Sequence, residues 1–351
     1  MVGTSLSDLI GIEIPILQAP MAGVSTPELA AAVTHSGGLG GLAFGASTPQ
    51  AARETLARFR TLCDGPLNAN VFCHRPPVRD EDREKGWIKR TAPLFEAVGA
   101  EPPAALNDIY PSFVASDAML EVLVEARPRV VSFHFGLPTA HQLEALKAAG
   151  IVLIGNATSL EEARAIETAG LDAVVAQGWE AGGHRGIFDE NGPDEQLSTR
   201  DLVRQLVGAL SVPVIAAGGI MNGRDIAAIL AEGAQAVQMG TAFVGCPETA
   251  VDAAYRARLA KGGETLMTRV ISGRPARCLS NDFSLWGREV ADGDVPAYPV
   301  AYDLGKALNA SAKKAWQGGY GAQWAGTGAA QSRAVPAAEI MARLKSELAE
   351  V

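Results

Sequence analysis

Eight short apolar runs recur along the chain, and most of them precede a stretch rich in Ala and Leu with helical spacing. Runs rich in Val, Ile and Leu that alternate with helices are typical of parallel strands covered by crossover helices. The runs span residues 14–20, 39–44, 67–72, 130–135, 151–157, 173–178, 212–219 and 236–241. Eight units favour a closed barrel over an open doubly wound sheet, in which about five or six strands are usual. We therefore predict the α/β class and a (β/α)8 TIM barrel.

The length predicts insertions in this barrel. A barrel of this type takes about 250 residues, and the chain has 351, so about 100 residues must lie elsewhere. We predict the barrel in residues 1–245, with an insertion at about 75–125, followed by a smaller, mostly helical substrate-binding region at 246–310. Residues 311–351 would return to the barrel. Their final helix carries Ile340, Leu344 and Leu348 on one stripe, which would cap the barrel or meet another subunit.

Charge and hydropathy exclude several classes of partner. The net charge is −9 and no run of Lys or Arg exceeds a pair, so we expect no nucleic acid. No stretch of about 18 apolar residues would span a membrane, and the amino terminus lacks the features of a signal peptide, so we expect a cytoplasmic protein. The four cysteines lie far apart, which favours reduced thiols near the core and no metal site.

Glycines close the seventh and eighth runs. Gly218 and Gly219 precede a helical stretch, and residues 238–241 (QMGT) precede another. Such glycines let backbone N–H groups approach a phosphate, and the dipoles of helix amino termini favour its charge. A lone Gly-Gly pair more often serves a tight turn, but two glycine sites at consecutive strand ends favour a phosphorylated ligand.

The remaining strand ends favour flavin mononucleotide (FMN) as that ligand. No dinucleotide-binding glycine motif follows the first strand, there is no P-loop, and no Lys stands at a strand end as a Schiff base would need. Asn70 and Gln177 can supply amides for the pyrimidine edge of a flavin. Residues 19–21, with Gly182 and Gly183, would form a floor of small residues. A Cβ on either glycine would then collide with the flavin.

One imidazole stands among glycines in residues 177–186 (QGWEAGGHRG). We predict that His184 faces the reactive edge of the flavin across the substrate. His134 lies in an apolar strand, where a buried histidine satisfied by a neighbour is the commoner arrangement, but its strand end points to the same mouth. We expect structural roles for the other three histidines, which are His35, His74 and His141.

Tyr298, Tyr302 and Lys306 recur at intervals of four residues, so on a helix they would share one face. Two phenols and an ammonium group directed together would bind an anionic group such as a carboxylate. A solvated lysine beside two half-buried tyrosines is the alternative that the spacing alone leaves open.

Several segments together resemble nitronate monooxygenase, formerly called 2-nitropropane dioxygenase. The resemblance runs from about residue 14 to residue 328. Its motifs are PILQAPMAGVSTPELAAAVTHSGGLGGL, LNANVFCH, VVSFHFGLP, QGWEAGGHRGIF, AAGGIMNGRDIAAILAEGAQAVQMGTAF and SGRPARCL. The segment EAGGHRG is shared with related families, but its combination with VFCH, SFHFG and YxxxYxxxK is similar to the bacterial class I enzymes.

The resemblance implies non-covalent FMN and oxidation of alkyl nitronates, propionate 3-nitronate above all, by O2 to a carbonyl compound and nitrite. It places the catalytic histidine at His184, and it adds Tyr110 and His134 to the Tyr298, Tyr302 and Lys306 pocket. The FMN contacts that it implies, together with the glycine pair, are Met21, Asn70, Gln177, Gly182, Gly218, Gly219, Gln238, Met239, Gly240 and Thr241.

Two other functions remain open from the sequence. The first is an NAD(P)H-dependent FMN reductase of the quinone or enoyl-acyl carrier protein reductase type, because such enzymes resemble this barrel. The second is a barrel that only senses or stores a phosphorylated ligand, although its pocket has more polar groups than storage requires. Under the favoured interpretation the partners are a small nitronate and O2, and a homodimer is compatible with the sequence.

Overall fold

The computed structural model describes residues 5–350. Residues 1–4 and 351, which belong to the predicted regions 1–245 and 311–351, lie outside the described residues. The strands are β1 (Ile16–Gln18), β2 (Gly40–Ala43), β3 (Leu67–Phe72), β4 (Val130–His134), β5 (Val152–Ala157), β6 (Ala173–Gln177), β7 (Gly183–His184), β8 (Val214–Ala217), β9 (Ala236–Met239), β10 (Thr265–Thr268) and β11 (Ala276–Leu279). The helices are α1 (Leu6–Ile10), α2 (Pro27–His35), α3 (Pro49–Leu62), α4 (Glu81–Ala97), α5 (Asp117–Ala126), α6 (Ala140–Ala148), α7 (Leu160–Thr168), α8 (Thr199–Val207), α9 (Gly223–Ala231), α10 (Thr241–Val244), α11 (Ala253–Lys261), α12 (Asp282–Trp286), α13 (Val300–Lys314) and α14 (Ala337–Ala349).

Eight strands form one parallel sheet in the order β1-β9-β8-β6-β5-β4-β3-β2. The two ends of this order meet, because Leu39 donates to the carbonyl of Ile16 at 3.0 Å and accepts from the amide of Gln18 at 2.9 Å, which closes the sheet beside β1 and β2. All eight strands fall within the predicted runs. The prediction of a (β/α)8 barrel is confirmed.

Local sequence sets where the barrel helices begin and end. Thr26, Thr48, Ser159 and Asn222 each accept a backbone hydrogen bond at the start of a helix, as helix-capping residues do. At the opposite end of the barrel from the strand carboxyl ends, α1 inserts Leu6 and other apolar side chains among the first residues of the strands. The barrel is therefore closed at its amino-terminal end and open only at the end where the strands finish.

The last helix, α14, completes the ring of helices. It packs against α9 on one side and α2 on the other, with Ile340 and Leu344 fully buried. Glu347 also accepts a hydrogen bond from the amide of Gly223 at 2.7 Å. Only the single turn α10 follows β9, so α14 occupies the place of the eighth barrel helix. Of the two roles that the sequence left open for the apolar stripe of α14, capping the barrel or meeting another subunit, the structure shows packing on the barrel.

The two predicted insertions pack on each other. Helix α4 lies against α13, and Trp87 and Phe95 share a hydrophobic cluster with Ile271, Phe283 and Leu304. Within the first of these segments, α5 packs between α3 and α6 and so belongs to the barrel wall. The second segment also contains the strands β10 and β11, which the prediction of a mostly helical region omitted. They form an antiparallel sheet with β7, which follows barrel strand β6.

The cysteines agree with the expectation from the sequence. All four cysteines are buried and free, as predicted. Between residues 5 and 350, no helix combines the length and apolar character that crossing a bilayer requires.

Candidate active site

A large cavity opens at the carboxyl ends of the barrel strands, where active sites of this fold lie. Its volume is about 440 Å³, within the range of about 300–1,000 Å³ typical of small-molecule and cofactor sites. Every residue predicted from the sequence to contact cofactor or substrate lines it. These residues are Met21, Asn70, Tyr110, His134, Gln177, Gly182, His184, Gly218, Gly219, Gln238, Met239, Gly240, Thr241, Tyr298, Tyr302 and Lys306.

His184 lies on a short strand that is fixed from several directions. In β7 it pairs with Ala276 of β11. The Gln177 side chain donates to the carbonyl of His184 at 3.0 Å and accepts from the amide of Gly186 at 2.7 Å. Arg185, which is fully buried, donates to the backbone carbonyl of Gln177 at 2.6 Å and pairs with Asp194. The imidazole is therefore presented by a rigid element and not by a loose surface turn.

The imidazole of His184 is packed among aromatic rings and held by one hydroxyl. Its Nε2 lies 2.9 Å from Ser272 Oγ. The ring centroids of Trp324, Tyr298 and Phe135 lie 5.0, 5.3 and 5.6 Å from its own. Burial lowers the pKa of His184 well below its ordinary value, and the charges of neighbouring groups lower it further. The ring is therefore neutral at pH 7 and able to accept a proton.

The packing and backbone conformation of the protein itself require the glycines beside His184. A Cβ on Gly182 would lie 2.4 Å from the amide nitrogen of Gly326 and 2.5 Å from the carbonyl carbon of Ala325. At Gly183 a Cβ would have space, but the backbone is left-handed, with φ +77°. A Cβ on Gly186 would overlap the Asn156 amide. The structure thus gives each of these glycines a reason that does not involve a flavin, and the collision with a flavin at Gly182 or Gly183 stays a prediction.

His134 ends β4 and faces the same cavity. Its Nε2 lies 3.3 Å from the carbonyl oxygen of His184. Burial lowers the pKa of His134 to about 4, so the ring is neutral at pH 7. It can donate to His184 and still form part of the pocket wall, so both interpretations of this residue from the sequence agree with its position.

His74, predicted to be structural, supports the pocket from behind. Its Nε2 lies 3.0 Å from the carbonyl oxygen of Tyr110, and its ring meets Tyr298 edge-on at 5.1 Å. The residue is 1% exposed, and burial lowers its pKa to about 4. His74 therefore links the first insertion to the segment before α13 without lining the cavity itself.

The buried histidines predict a loss of stability in mild acid. Above pH 6.5 neither the folded nor the unfolded protein protonates His74 or His134, whereas between pH 6.5 and about 4 only the unfolded chain binds these protons. We expect the free energy of unfolding to fall across this window, by up to about 3 kcal/mol for each histidine. Urea unfolding at pH 7 and pH 4.5 measures it. His74→Gln should flatten the dependence and the exposed control His141→Gln should not; equal slopes in all three proteins would contradict the assignment.

Lys306 and two tyrosines form the outer wall of the cavity. The ammonium group hydrogen-bonds to the Tyr110 hydroxyl and lies 4.7 and 5.6 Å from the ring centroids of Tyr110 and Tyr302. Tyr302 and Lys306 lie one turn apart on α13, as predicted. Among the described residues that line the cavity, Lys306 is the one Lys, Arg, Asp or Glu side chain. The cavity therefore favours an anionic ligand.

Tyr298 reaches this wall by a different route from the predicted one. Helix α13 begins at Val300, so Tyr298 precedes the helix and does not share its face. Its ring is 2% exposed, and its hydroxyl has no hydrogen-bond partner within residues 5–350. Burial raises the pKa of this phenol well above its ordinary value, so it stays protonated. A buried hydroxyl without a partner is costly, and a ligand in the cavity would supply the missing acceptor.

The barrel side of the cavity carries two amides, of which Asn70 was predicted and Asn156 was not. Asn70 donates through Nδ2 to the backbone and side-chain oxygens of Ser132 at 3.1 and 3.0 Å. This leaves its Oδ1 as an acceptor for a ligand N–H. Asn156 is 6% exposed and lines the cavity, and its Nδ2 lacks a partner within the described part of the chain. The acceptor of Asn70 and the unsatisfied donor of Asn156 can pair with a heterocycle whose edge carries both N–H and C=O groups.

Fewer groups are available to bind a phosphate than the sequence indicated. The amides at the start of α9 are already occupied, since Met221 donates to Asp225, Asp225 donates to Asn222, and Gly223 donates to Glu347. The amino terminus of α9 therefore offers none of these three amides to a phosphate. Gly218, with φ +125°, and Gly219, with φ +71°, do line the cavity, as do Gly240 and Thr241. Any phosphate would be held by these backbone segments.

Sequence reasoning missed three polar residues of the site. Ser272 and Arg274 lie between β10 and β11, and nothing in their local pattern connects them to a histidine about 90 residues earlier. Asn156 could have been found, because it stands near the end of the predicted fifth strand. Trp324, for which the sequence indicates no role, lies against the His184 ring.

Comparisons with known proteins give a consistent result over nearly the whole chain. A family model described as nitronate monooxygenase matches residues 3–347. A curated nitronate monooxygenase of Paraburkholderia phytofirmans is 54% identical over 98% of this chain and 94% of its own length, and one of Pseudomonas aeruginosa is 49% identical over 97% of each. Among solved structures, nitroalkane oxidase from Streptomyces ansochromogenes has a TM-score of 0.88 and 38% identity, covering 99% of this chain and 98% of that one. FabK from Thermotoga maritima has a TM-score of 0.74 and 30% identity, covering 100% and 97%.

Proposed function

The chain belongs to the nitronate monooxygenase family, and on this premise we propose that it binds FMN non-covalently and oxidises alkyl nitronates with O2 to a carbonyl compound and nitrite. We propose propionate 3-nitronate as its main substrate and removal of toxic nitro compounds as its role. The observation that carries the proposal is the composition of the cavity wall: one cation, neutral histidines and protonated phenols, with no described carboxylate. The cation of such a wall attracts an anionic substrate, and no described carboxylate in the wall repels it.

FMN fits the residues on the barrel side of the cavity. The free Oδ1 of Asn70 and the unpartnered Nδ2 of Asn156 offer an acceptor and a donor for the polar edge of the ring. The backbone at Gly218, Gly219 and residues 240–241 can hold a phosphate. We propose as the remaining contacts Met21, Gln177, Gly182, Gln238 and Met239, which line the same side. Bound flavin would supply a centre that takes electrons from the substrate and passes them to O2.

The protein's own groups bind and orient the substrate. We propose that Lys306 and the phenols of Tyr110, Tyr298 and Tyr302 hold its anionic groups, because ammonium N–H and phenol O–H groups are hydrogen-bond donors. A nitronate is already a carbanion equivalent, so it needs no base. A neutral nitroalkane must lose an α-proton first, and His184 is the neutral imidazole placed to accept it. His134 fixes the backbone of His184 from behind, since its ring lies within hydrogen-bond distance of the His184 carbonyl.

The experiment that tests the proposal combines two measurements on the purified protein. Heat denaturation should release a yellow chromophore that chromatography identifies as FMN. The native protein should release nitrite from propionate 3-nitronate while it consumes O2. A protein that carries no flavin, or that carries FMN and leaves the nitronate unchanged, would refute the proposal.

The second candidate function is an NAD(P)H-dependent FMN reductase, and the structural likeness to FabK favours it. A phosphorylated nicotinamide cofactor would need its own cationic contacts. Within the described cavity wall the one cation is Lys306, which the substrate anion would use. We therefore rank this function second. The homodimer and the cytoplasmic location remain predictions.

The contact between Gly182 and the segment around Gly326 predicts an effect on flavin content. Gly182→Val should push residues 325–326 away from the cavity, cost about 1–3 kcal/mol and weaken FMN binding by about tenfold or more. The flavin-to-protein absorbance ratio of the purified variant measures this. Gly86→Val is the matched control, because a Cβ on Gly86 in α4 meets nothing within 4 Å. Full flavin occupancy in Gly182→Val would contradict the account.

A further inference from the structure

The hydroxyl of Ser272 lies within hydrogen-bond distance of His184 and takes no part in the proposed reaction itself. Ser272 is fully buried in the turn between β10 and β11, and its Oγ lies 2.9 Å from His184 Nε2. We propose that Ser272 and Arg274 are positioning residues that hold His184 as the tautomer protonated on Nε2, so that Nδ1 is the atom that accepts the substrate proton. This inference rests on the proposed function, in which His184 is the base.

The hydroxyl proton of Ser272 decides the tautomer. Ser272 Oγ also lies 3.2 Å from the backbone carbonyl oxygen of Arg274. A carbonyl oxygen can only accept a hydrogen bond, and Arg274 is 1% exposed. Within residues 5–350, the hydroxyl of Ser272 is the group that donates a hydrogen bond to this carbonyl. Buried carbonyls are almost always paired. The single hydroxyl proton is therefore directed to Arg274, and Ser272 must receive a proton from Nε2 of His184.

Arg274 holds this acceptor in place. Its guanidinium group pairs with Glu190 at 2.5 Å, hydrogen-bonds to the carbonyl of Ile187, and lies 4.2 Å from the centroid of the Phe135 ring. Phe135 in turn meets the His184 ring edge-on. Arg274 is thus tied to the segment that follows His184 and also to a ring that contacts His184. Its carbonyl and the histidine therefore keep a fixed relative position.

The charges around His184 favour the same neutral form. Groups that face it from the packed elements are His134 at the end of β4, His74 after β3, Tyr298 before α13, Tyr302 on α13 and Arg274 before β11. Burial disfavours the charged imidazolium most, and the positive charge of Arg274 disfavours it further. Glu190, a carboxylate on the segment after β7, is paired with Arg274 itself. None of the groups named above accepts a hydrogen bond that would keep the proton of the neutral ring on Nδ1.

The proton transfer then has a defined direction. The Cα–H bond of a bound nitroalkane breaks, its electron pair forms the C=N bond of the nitronate, and a nitro oxygen takes the negative charge. The proton goes to Nδ1 of His184. Nε2 keeps its own proton and its hydrogen bond to Ser272 throughout, so the ring does not need to turn.

The tautomer can be measured directly in the purified holoprotein. With histidine labelled in both ring nitrogens with ¹⁵N, two-dimensional NMR reports which nitrogen carries the proton, and His184→Asn assigns the signals. We expect the wild type to be protonated on Nε2 and Ser272→Ala to give a mixture of tautomers. Ser280→Ala is the matched control, since that buried hydroxyl has no hydrogen-bond partner among the described residues. It should leave the His184 signals unchanged.

Kinetics with two substrates separate positioning from general damage. Ser272→Ala should lower kcat for neutral nitroethane by about tenfold, the effect of losing one hydrogen bond to the base, and lower kcat for preformed ethyl nitronate less than about twofold. Ser280→Ala should change neither value. An equal loss on both substrates would overturn the positioning role.

The spectra keep the inference separate from the proposed function. A wild-type His184 protonated on Nδ1 would overturn the inference, as would a Ser272→Ala protein whose tautomer is unchanged. If Ser272→Ala does not fold, Arg274→Lys replaces it, because lysine cannot bind Glu190 and the Ile187 carbonyl in the same forked geometry; it should give the same mixture, and an unchanged tautomer would again refute the inference. A protein inactive on nitronates would refute the proposed function while the tautomer measurement still stands.

Discussion

His184→Asn should lower the turnover of a neutral nitroalkane by about 10²- to 10⁴-fold, the usual contribution of a general base. The reason is that His184 is the neutral imidazole to which we assign the proton: the ring of His134 is engaged with the His184 carbonyl, and burial keeps the Tyr298 phenol protonated. The rate of nitrite release from nitroethane measures the loss. With preformed ethyl nitronate, which has already lost its proton, we expect a much smaller decrease.

The contrast between the two substrates is what supports the assignment of a base. His141→Asn, a change of the same type on the exposed face of α6, should leave both rates unchanged. If His184→Asn abolished nitronate turnover as completely as nitroalkane turnover, His184 would act in binding or in the redox step, and its role as the base would lose its support.

Lys306→Met should raise the KM for propionate 3-nitronate by about 10- to 100-fold. Lys306 is the one described cation of the cavity wall, and a hydrogen bond to a charged group is worth about 1.5–3 kcal/mol. Ethyl nitronate lacks the carboxylate, so its KM should change far less if Lys306 binds that group. Steady-state kinetics on both substrates make the comparison.

Two further variants test whether charge or packing is responsible. Lys306→Arg keeps the charge and should retain most of the affinity for propionate 3-nitronate. Lys314→Met removes an exposed lysine from the end of the same helix and should have no effect. An equal rise in KM for both nitronates would place the lysine at the nitronate group. An unchanged KM for both would remove it from the binding site.

Local patterns were sufficient to predict the barrel and the lining of its mouth. Alternation of apolar runs with capped helices is a property of neighbouring residues, so all eight strands and the position of the cavity could be predicted. The strand ends then placed Asn70, Gln177 and Gly218 on one cavity because the barrel brings every carboxyl end to the same face.

Contacts between distant segments could not be predicted in the same way. Gly182 is required by the backbone at Ala325 and Gly326, more than 140 residues later, and the sequence offered only a flavin as the reason. Ser272 and His184 meet because β11 pairs with β7, a pairing that no local pattern indicated.

The position of Tyr298 could have been predicted better from local rules. Its spacing from Tyr302 suggested a shared helical face, yet Pro299 follows it directly, and the residue before a proline disfavours helical geometry. The helix accordingly begins at Val300. The tyrosine still reaches the cavity, because its segment packs against His74 and Phe135.

The most direct test of the account is the visible absorbance of the purified protein mixed with propionate 3-nitronate in the absence of O2. We predict flavin absorbance in the resting protein, its bleaching by the nitronate alone, and no bleaching by NADPH. A protein whose flavin is bleached by NADPH and is unchanged by the nitronate would contradict the account and establish the reductase in its place.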